Sequence, residues 1–77
     1  MLSLEEFFDL FCEELDETDP ESIGVETDFK AIDEWDSLIA LSVISMVDEE
    51  FEILLTGRDM EAAVTIEDLY NSIQGKL

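Results

Sequence analysis

Apolar residues recur at a helical period in several stretches of this chain, separated by segments where the period breaks. Near the start, Ser3 precedes Glu6 by three positions and Leu2 and Phe7 bracket the pair, the pattern of a capping box with a hydrophobic staple. A first helix is expected from Ser3 or Leu4. At roughly 100° per residue, Leu4, Phe8, Phe11 and Leu15 fall in one arc with Phe7 and Cys12 on its flanks, so that arc is the expected core face. Cys12 reads as a small buried hydrophobe, because no base stands near it in sequence to activate a thiolate.

From Asp16 to about Asp36 the period is lost, with Pro20, Gly24 and scattered acids around Ile23, Val25, Phe29 and Ile32. Loops this long are functional or pinned down, and Phe29 and Ile32 are the expected pins. Asp19 to Lys30 has the length of a calcium loop with Gly24 at its sixth position. It fails on ligands, since Ile23 occupies the fifth position and Lys30 replaces the bidentate Glu.

A second helix is expected from Ser37 to about Phe51. Ala40, Val43, Val47 and Phe51 cluster on its core side, with Ile39, Ile44 and Met46 at the margins. Ser37, Leu41, Ser45 and Asp48 project on the opposite side, with Leu38 and Glu49 a little further round. Leu38 and Leu41 are therefore candidate exposed anchors, ringed by the acids Asp48 and Glu49; packing of these leucines beneath the long loop is the competing arrangement. Beyond Phe51, the run Glu52 to Gly57 is expected to be a loop that buries Leu55 and ends at Gly57. Arg58 to Ala63 forms a short third helix with Met60, Ala63 and Val64 inward. Thr65 with Asp68 opens a last helix whose stripe is Ile66, Leu69, Tyr70 and Ile73, and which Gly75 stops. The predicted fold is all-α: a small four-helix bundle of three longer helices and one short one, with a long loop between helices 1 and 2.

Charge narrows the partners. The chain has 77 residues, with 22 acids against 3 basic residues and a formal net charge of −19. That length suits one domain, residues 1–77, and the hydrophobic fraction of 47% favours folding against strong self-repulsion. Nucleic acid and anionic lipid are excluded as phosphate-contacting partners, and a partner should instead present Lys and Arg. One Cys and no His exclude a disulfide framework and the usual zinc sets. The N-terminus lacks a basic n-region, and no apolar run reaches the ~20 residues needed to cross a bilayer. A soluble, cytoplasmic monomer without membrane insertion is expected. With no base of suitable pKa, no metal set and no glycine-rich phosphate cradle, no catalytic residue or metal ligand is expected.

Ser37 remains, at the opening of the second helix, where backbone N–H groups and the positive dipole end favour a phosphate on its oxygen. On these residues alone, Asp36 or Ser37 could equally be a helix cap. The context is more specific. Asp36-Ser37-Leu38, Phe29 eight residues before the serine, an acidic helix after it and Thr65-Ile66-Glu67-Asp68-Leu69 near the end together resemble an acyl carrier protein over nearly the whole chain. The resemblance implies the same helical arrangement, with a 4′-phosphopantetheine arm attached covalently to Ser37 by a phosphopantetheinyl transferase and Asp36 helping to engage that enzyme's magnesium site. It further implies an acyl cargo held as a thioester, delivered to acyl-transferring or acyl-modifying enzymes with basic docking patches, and recognition centred on the second helix.

In carriers that sequester the acyl chain, space between helices 2 and 3 holds it, which makes Val43, Val47, Leu55, Met60 and Ala63 the lining candidates here. The chain departs from the family in having Ile39 and Ser42 where acids are common. Trp35 stands where carriers of fatty-acid synthesis have a small residue, and its ring could pack on the loop or shield the arm. A peptidyl or D-alanyl carrier and an unmodified acidic helical adaptor are the rival readings.

Overall fold

Short polar side chains open every helix. Ser3 caps α1 (Leu4–Glu13), Asp36 caps α2 (Ser37–Phe51), Thr56 caps α3 (Gly57–Ala62) and Thr65 caps α4 (Ile66–Gln74). The computed structural model describes residues 3–77, so the expected staple residue Leu2 lies outside the described residues. The Ser3 hydroxyl accepts the Glu6 N–H at 3.1 Å. Thr56 with Asp59 and Thr65 with Asp68 make complete, reciprocal capping boxes. Their N–H donors hold both aspartates below the usual carboxylate range. For Asp59 the Thr56 N–H contributes most, then Lys76, whose Nζ lies 3.2 Å away; for Asp68 the N–H groups of Thr65 and Val64 do so.

The third helix corrects the expectation that Gly57 ends the preceding loop. Thr56 and Asp59 move the helix start back, so Gly57 is its first residue. Ile53 and Leu55 are both buried in the short connection from α2, while Leu54 between them is exposed. The same alternation corrects Val64. Ala63 has extended backbone, so successive side chains point opposite ways, leaving Ala63 buried and Val64 52% exposed.

The four helices enclose one apolar core built on Phe7, Phe11, Phe29, Val43, Val47, Leu55, Ile66, Leu69 and Ile73. In α1 the buried arc is rotated from the expected one. Phe7 and Phe11 are fully buried, whereas Leu4 and Phe8 are half-buried. The reason is the bulk of two rings: Phe7 packs 6.2 Å from Tyr70 of α4, and Phe11 lies 6.1 Å from Phe29 and 5.9 Å from Trp35. Leu15 is buried but lies past the end of the helix, out of its phase. Cys12 is buried as expected, and burial together with the nearby Asp9 carboxylate pushes its thiol pKa up. In α2, Met46 is buried with Val43 and Val47 rather than standing at the margin, while Ala40 and Phe51 of the expected core side are only half-buried.

The long connection between α1 and α2 contains two single 3-10 turns, Pro20–Ser22 and Phe29–Ala31, capped by Asp19 and Asp28. Phe29 pins it as expected, with Ile32 half-buried against the core. Backbone bonds fasten the loop to the far end of the chain: the Phe29 N–H donates to Val64 O at 3.2 Å and the Glu67 N–H to Val25 O at 2.9 Å. Lys30 Nζ donates to the Glu61 carbonyl at the end of α3 and lies 5.6 Å from the Phe29 ring centroid. No helix among the described residues is long and apolar enough to cross a membrane.

At the end of α2, Glu52 sits in left-handed backbone, φ 56° and ψ 36°, with its N–H donating to Asp48 O at 2.9 Å. A Cβ in that conformation costs about 1–2 kcal/mol, and an acid at a helix C-terminus opposes the dipole. Glu52→Gly should therefore stabilise the protein by about 1 kcal/mol, the relief of strain exceeding the added chain entropy. Urea denaturation of the two proteins at pH 7 checks the sign, which a destabilised variant would contradict.

Candidate functional site

Asp36 decides the geometry at the start of α2. Its backbone is extended, its Oδ1 accepts the Ile39 N–H at 2.9 Å, and its carbonyl accepts the Ala40 N–H at 3.0 Å. Capping therefore falls to Asp36 and not to Ser37. Ser37 is the first residue of the helix, exposed, and its hydroxyl is engaged by no protein group among the described residues. Of the two roles left open for this serine by the sequence, the structure removes the capping one. What remains is a free hydroxyl at the positive end of a 15-residue helix, where a phosphoester is electrostatically favoured.

The segment before it is held from two sides. Trp35 stacks on Phe11 with an interplanar angle of 7° and meets Phe29 edge-on at 4.8 Å between centroids. Its ring packs on the loop and α1, which answers the question the sequence left open. Such aromatic contacts add about 0.5–1.5 kcal/mol each beyond area burial. Next to it, the Glu34 carboxylate gathers three N–H groups from the opposite end of the loop: Asp16 at 3.1 Å, Glu17 at 3.0 Å and Thr18 at 2.7 Å. The Thr18 side chain and these N–H donors hold the Glu34 carboxyl below its ordinary value. The loop is thus closed on itself immediately before Asp36 and Ser37. Nothing local in the sequence marks Glu34, since its donors lie 16 to 18 residues away.

Beyond the serine, the outer side of α2 is the one its periodicity predicts. Leu38 is 71% and Leu41 60% exposed, so they do not pack under the loop, and Asp48 and Glu49 are exposed on the same side. Val43, Val47, Leu55, Met60 and Ala63 all lie in the closed core cluster. The structure brings Leu38 and Leu41 together with residues the sequence did not single out: Leu10, Glu13 and Glu14 of the last turns of α1, across a groove from α2. Glu14's carboxyl is pushed up by partial burial first, and then by the neighbouring charges of Glu13, Glu49 and Asp16.

Glu34 and Glu14 titrate with opposite consequences. The lowered Glu34 carboxyl contributes stability that is complete above its unfolded value, near ~4.3, and is lost as pH falls through the folded value. Glu34→Gln should be less stable than the parent at pH 7, with the difference closing as the pH drops below about 4 in urea titrations. The raised Glu14 carboxyl does the reverse: its ionised form costs stability above the folded value, and the cost vanishes as pH falls below the ordinary one. Glu14→Gln should raise the melting temperature at pH 7 and have no effect below about pH 4. Trp35→Ala should cost about 2 kcal/mol, less than a fully buried ring because Trp35 is half-buried.

Comparison with protein families gives a match to the phosphopantetheine attachment site family over residues 5–73. Comparisons with curated proteins and with solved structures give no significant match. The family match spans all four helices, the long loop and the helix start at Asp36 and Ser37. The chain therefore belongs to the phosphopantetheine attachment site family, a family of carriers rather than catalysts whose members bear 4′-phosphopantetheine covalently.

Proposed function

We propose that this protein is a cytoplasmic acyl carrier whose arm is attached at Ser37. The observation that carries the reading is the free, exposed Ser37 hydroxyl at the first position of α2, relieved of capping by Asp36. The site suits the group. The serine oxygen is accessible, no protein atom competes for it, and the first-turn N–H groups offer donors to a phosphodiester. A 4′-phosphopantetheine arm on this oxygen supplies a terminal thiol that holds cargo as an activated thioester.

The chain's own residues do the rest. Ser37 Oγ forms the phosphoester bond in the transferase's active site as the nucleotide part of coenzyme A leaves. Asp36 holds the helix start through the Ile39 N–H and, as the residue before the serine, would help engage the transferase's magnesium site. Leu38 and Leu41 offer apolar anchors, and Asp48 and Glu49 offer charge to basic patches on acyl-transferring or acyl-modifying enzymes. Tethering raises the cargo's effective concentration at a docked enzyme. Val43, Val47, Leu55, Met60 and Ala63 would line any space for the acyl chain. They are closed together in this structure, so α2 and α3 have to part for a chain to enter.

The acidity of the chain and the exposed leucines beside Ser37 support an acyl cargo from a fatty-acid, polyketide or specialised lipid pathway over a peptidyl or D-alanyl one. The test is intact mass after incubation with coenzyme A, magnesium and a broad-specificity phosphopantetheinyl transferase. The parent should gain one arm and Ser37→Ala none. Asp36→Asn, which keeps a good cap, should stay folded yet load at least tenfold more slowly, about 1.4 kcal/mol of lost transition-state stabilisation. A folded parent that gains no mass would bring forward the unmodified acidic adaptor.

A further inference from the structure

The recognition helix carries no charge of its own where its apolar anchors are. From Ser37 to Val47 there is no acid or base, and Asp48, Glu49 and Glu50 come only in the last turn. Leu38 and Leu41 would stand on a neutral helix face if α2 were considered alone.

The tertiary structure supplies the missing charge from α1. Leu10, Glu13 and Glu14 face Leu38, Leu41 and Glu49 across an open groove of about 490 Å³ that runs between the two helices. A second cleft, of about 560 Å³, continues past Glu14, Leu38 and Ser42 toward Asp36, at the start of α2. The groove therefore has exposed apolar side chains at its centre and carboxylates on both walls.

Those carboxylates repel one another without a counter-ion. Partial burial first, and after it the charges of Glu13, Glu49 and Asp16, push the Glu14 carboxyl up. The chain's three basic residues are elsewhere: Lys30 on the Glu61 carbonyl, Lys76 on Asp59, and Arg58 in the first turn of α3. A cation brought in from outside would relieve the repulsion while the apolar centre gained cover.

We propose that the α1–α2 groove is a docking surface for a cationic amphipathic helix of a partner protein, with an apolar side chain seated among Leu10, Leu38 and Leu41 and Arg or Lys paired with Glu13, Glu14 and Glu49. Charge complementarity selects this occupant. A second copy of the chain brings a net charge of −19 of its own, and nucleic acid and anionic lipid are likewise repelled. A groove between two helices with spaced apolar anchors takes a helix. The proposal rests on the reading that partners dock beside Ser37, and it directs them toward the α1 side of α2 and away from α3.

The experiment uses the full chain in the unmodified Ser37→Ala form, so its outcome is independent of whether an arm can be attached. Isotope-labelled protein is titrated with a synthetic amphipathic Arg/Leu helix, and with a peptide of the same composition whose leucines are spread around the helix. Backbone NMR shifts for the amphipathic peptide should concentrate at Leu10, Glu13, Glu14, Leu38, Leu41 and Glu49. Glu13→Gln/Glu14→Gln should weaken its binding roughly fivefold at low ionic strength, and the remote pair Glu26→Gln/Glu61→Gln, with the same charge change, less than twofold. Neutralising Glu14 relieves repulsion, so the double variant should remain folded. Equal binding of both peptides, equal loss in both variants, or shifts centred on Asp48, Leu54 and Arg58 would overturn the proposal.

Discussion

The packing of Trp35 against Phe11 and Phe29 is the contact on which the rest of the molecule depends. Phe11 belongs to α1, and Phe29 and Trp35 both belong to the later half of the long loop, so three rings join the first helix to a loop segment distant from it in sequence. The Glu34 carboxylate then draws the N–H groups after α1 to the residues before α2. Together they turn a connection too long to be rigid by its own hydrogen bonds into a fixed platform for Asp36 and Ser37. The proposed attachment at Ser37 needs an exposed hydroxyl at a fastened helix start, and these contacts fasten the segment that leads into it.

A chain with 22 acids must find uses for them that do not add to its self-repulsion. Among the described residues, six act as hydrogen-bond acceptors for backbone N–H groups: Asp19, Asp28, Glu34, Asp36, Asp59 and Asp68. Placed at helix starts and turns, their charge meets partial positive charge and stabilises the fold. The acids at the end of α1 and in the last turn of α2 are placed oppositely, at the negative ends of helices and facing one another. Those are the positions where the protein tolerates charge that it does not need for folding, and they surround the exposed leucines of α2.

Helix α2 accordingly has two jobs. One side, Val43, Met46 and Val47, is buried and fixes the helix in the bundle. The other starts with Ser37 and continues through the exposed Leu38 and Leu41, so an arm at the proposed attachment point would leave the protein beside apolar side chains. The proposed attachment point and the proposed docking surface lie on one continuous helix, so a single docking event would position a flexible arm.

The amino-acid sequence alone determined the four helices, the outer face of α2, the burial of Phe29, Leu55 and Cys12, and the resemblance to a carrier family that rests on Asp36-Ser37-Leu38. These features are local: periodicity, capping residues and a tripeptide act within a few positions of each other. The Thr56–Asp59 capping box is equally local, although Gly57 beside it reads as a loop terminator. Only the tertiary structure decided the rotation of α1 toward Phe7, the exposure of Val64, the stacking of Trp35 and the choice of Asp36 over Ser37 as the cap. It alone brought Glu34 to N–H groups 16 to 18 residues away and set Glu13 and Glu14 across from Leu38 and Leu41. The physical reason is common to these cases. A helical period says which residues share a face, while the bulk of the facing side chains and the long-range hydrogen bonds decide how far each helix turns and what stands opposite it.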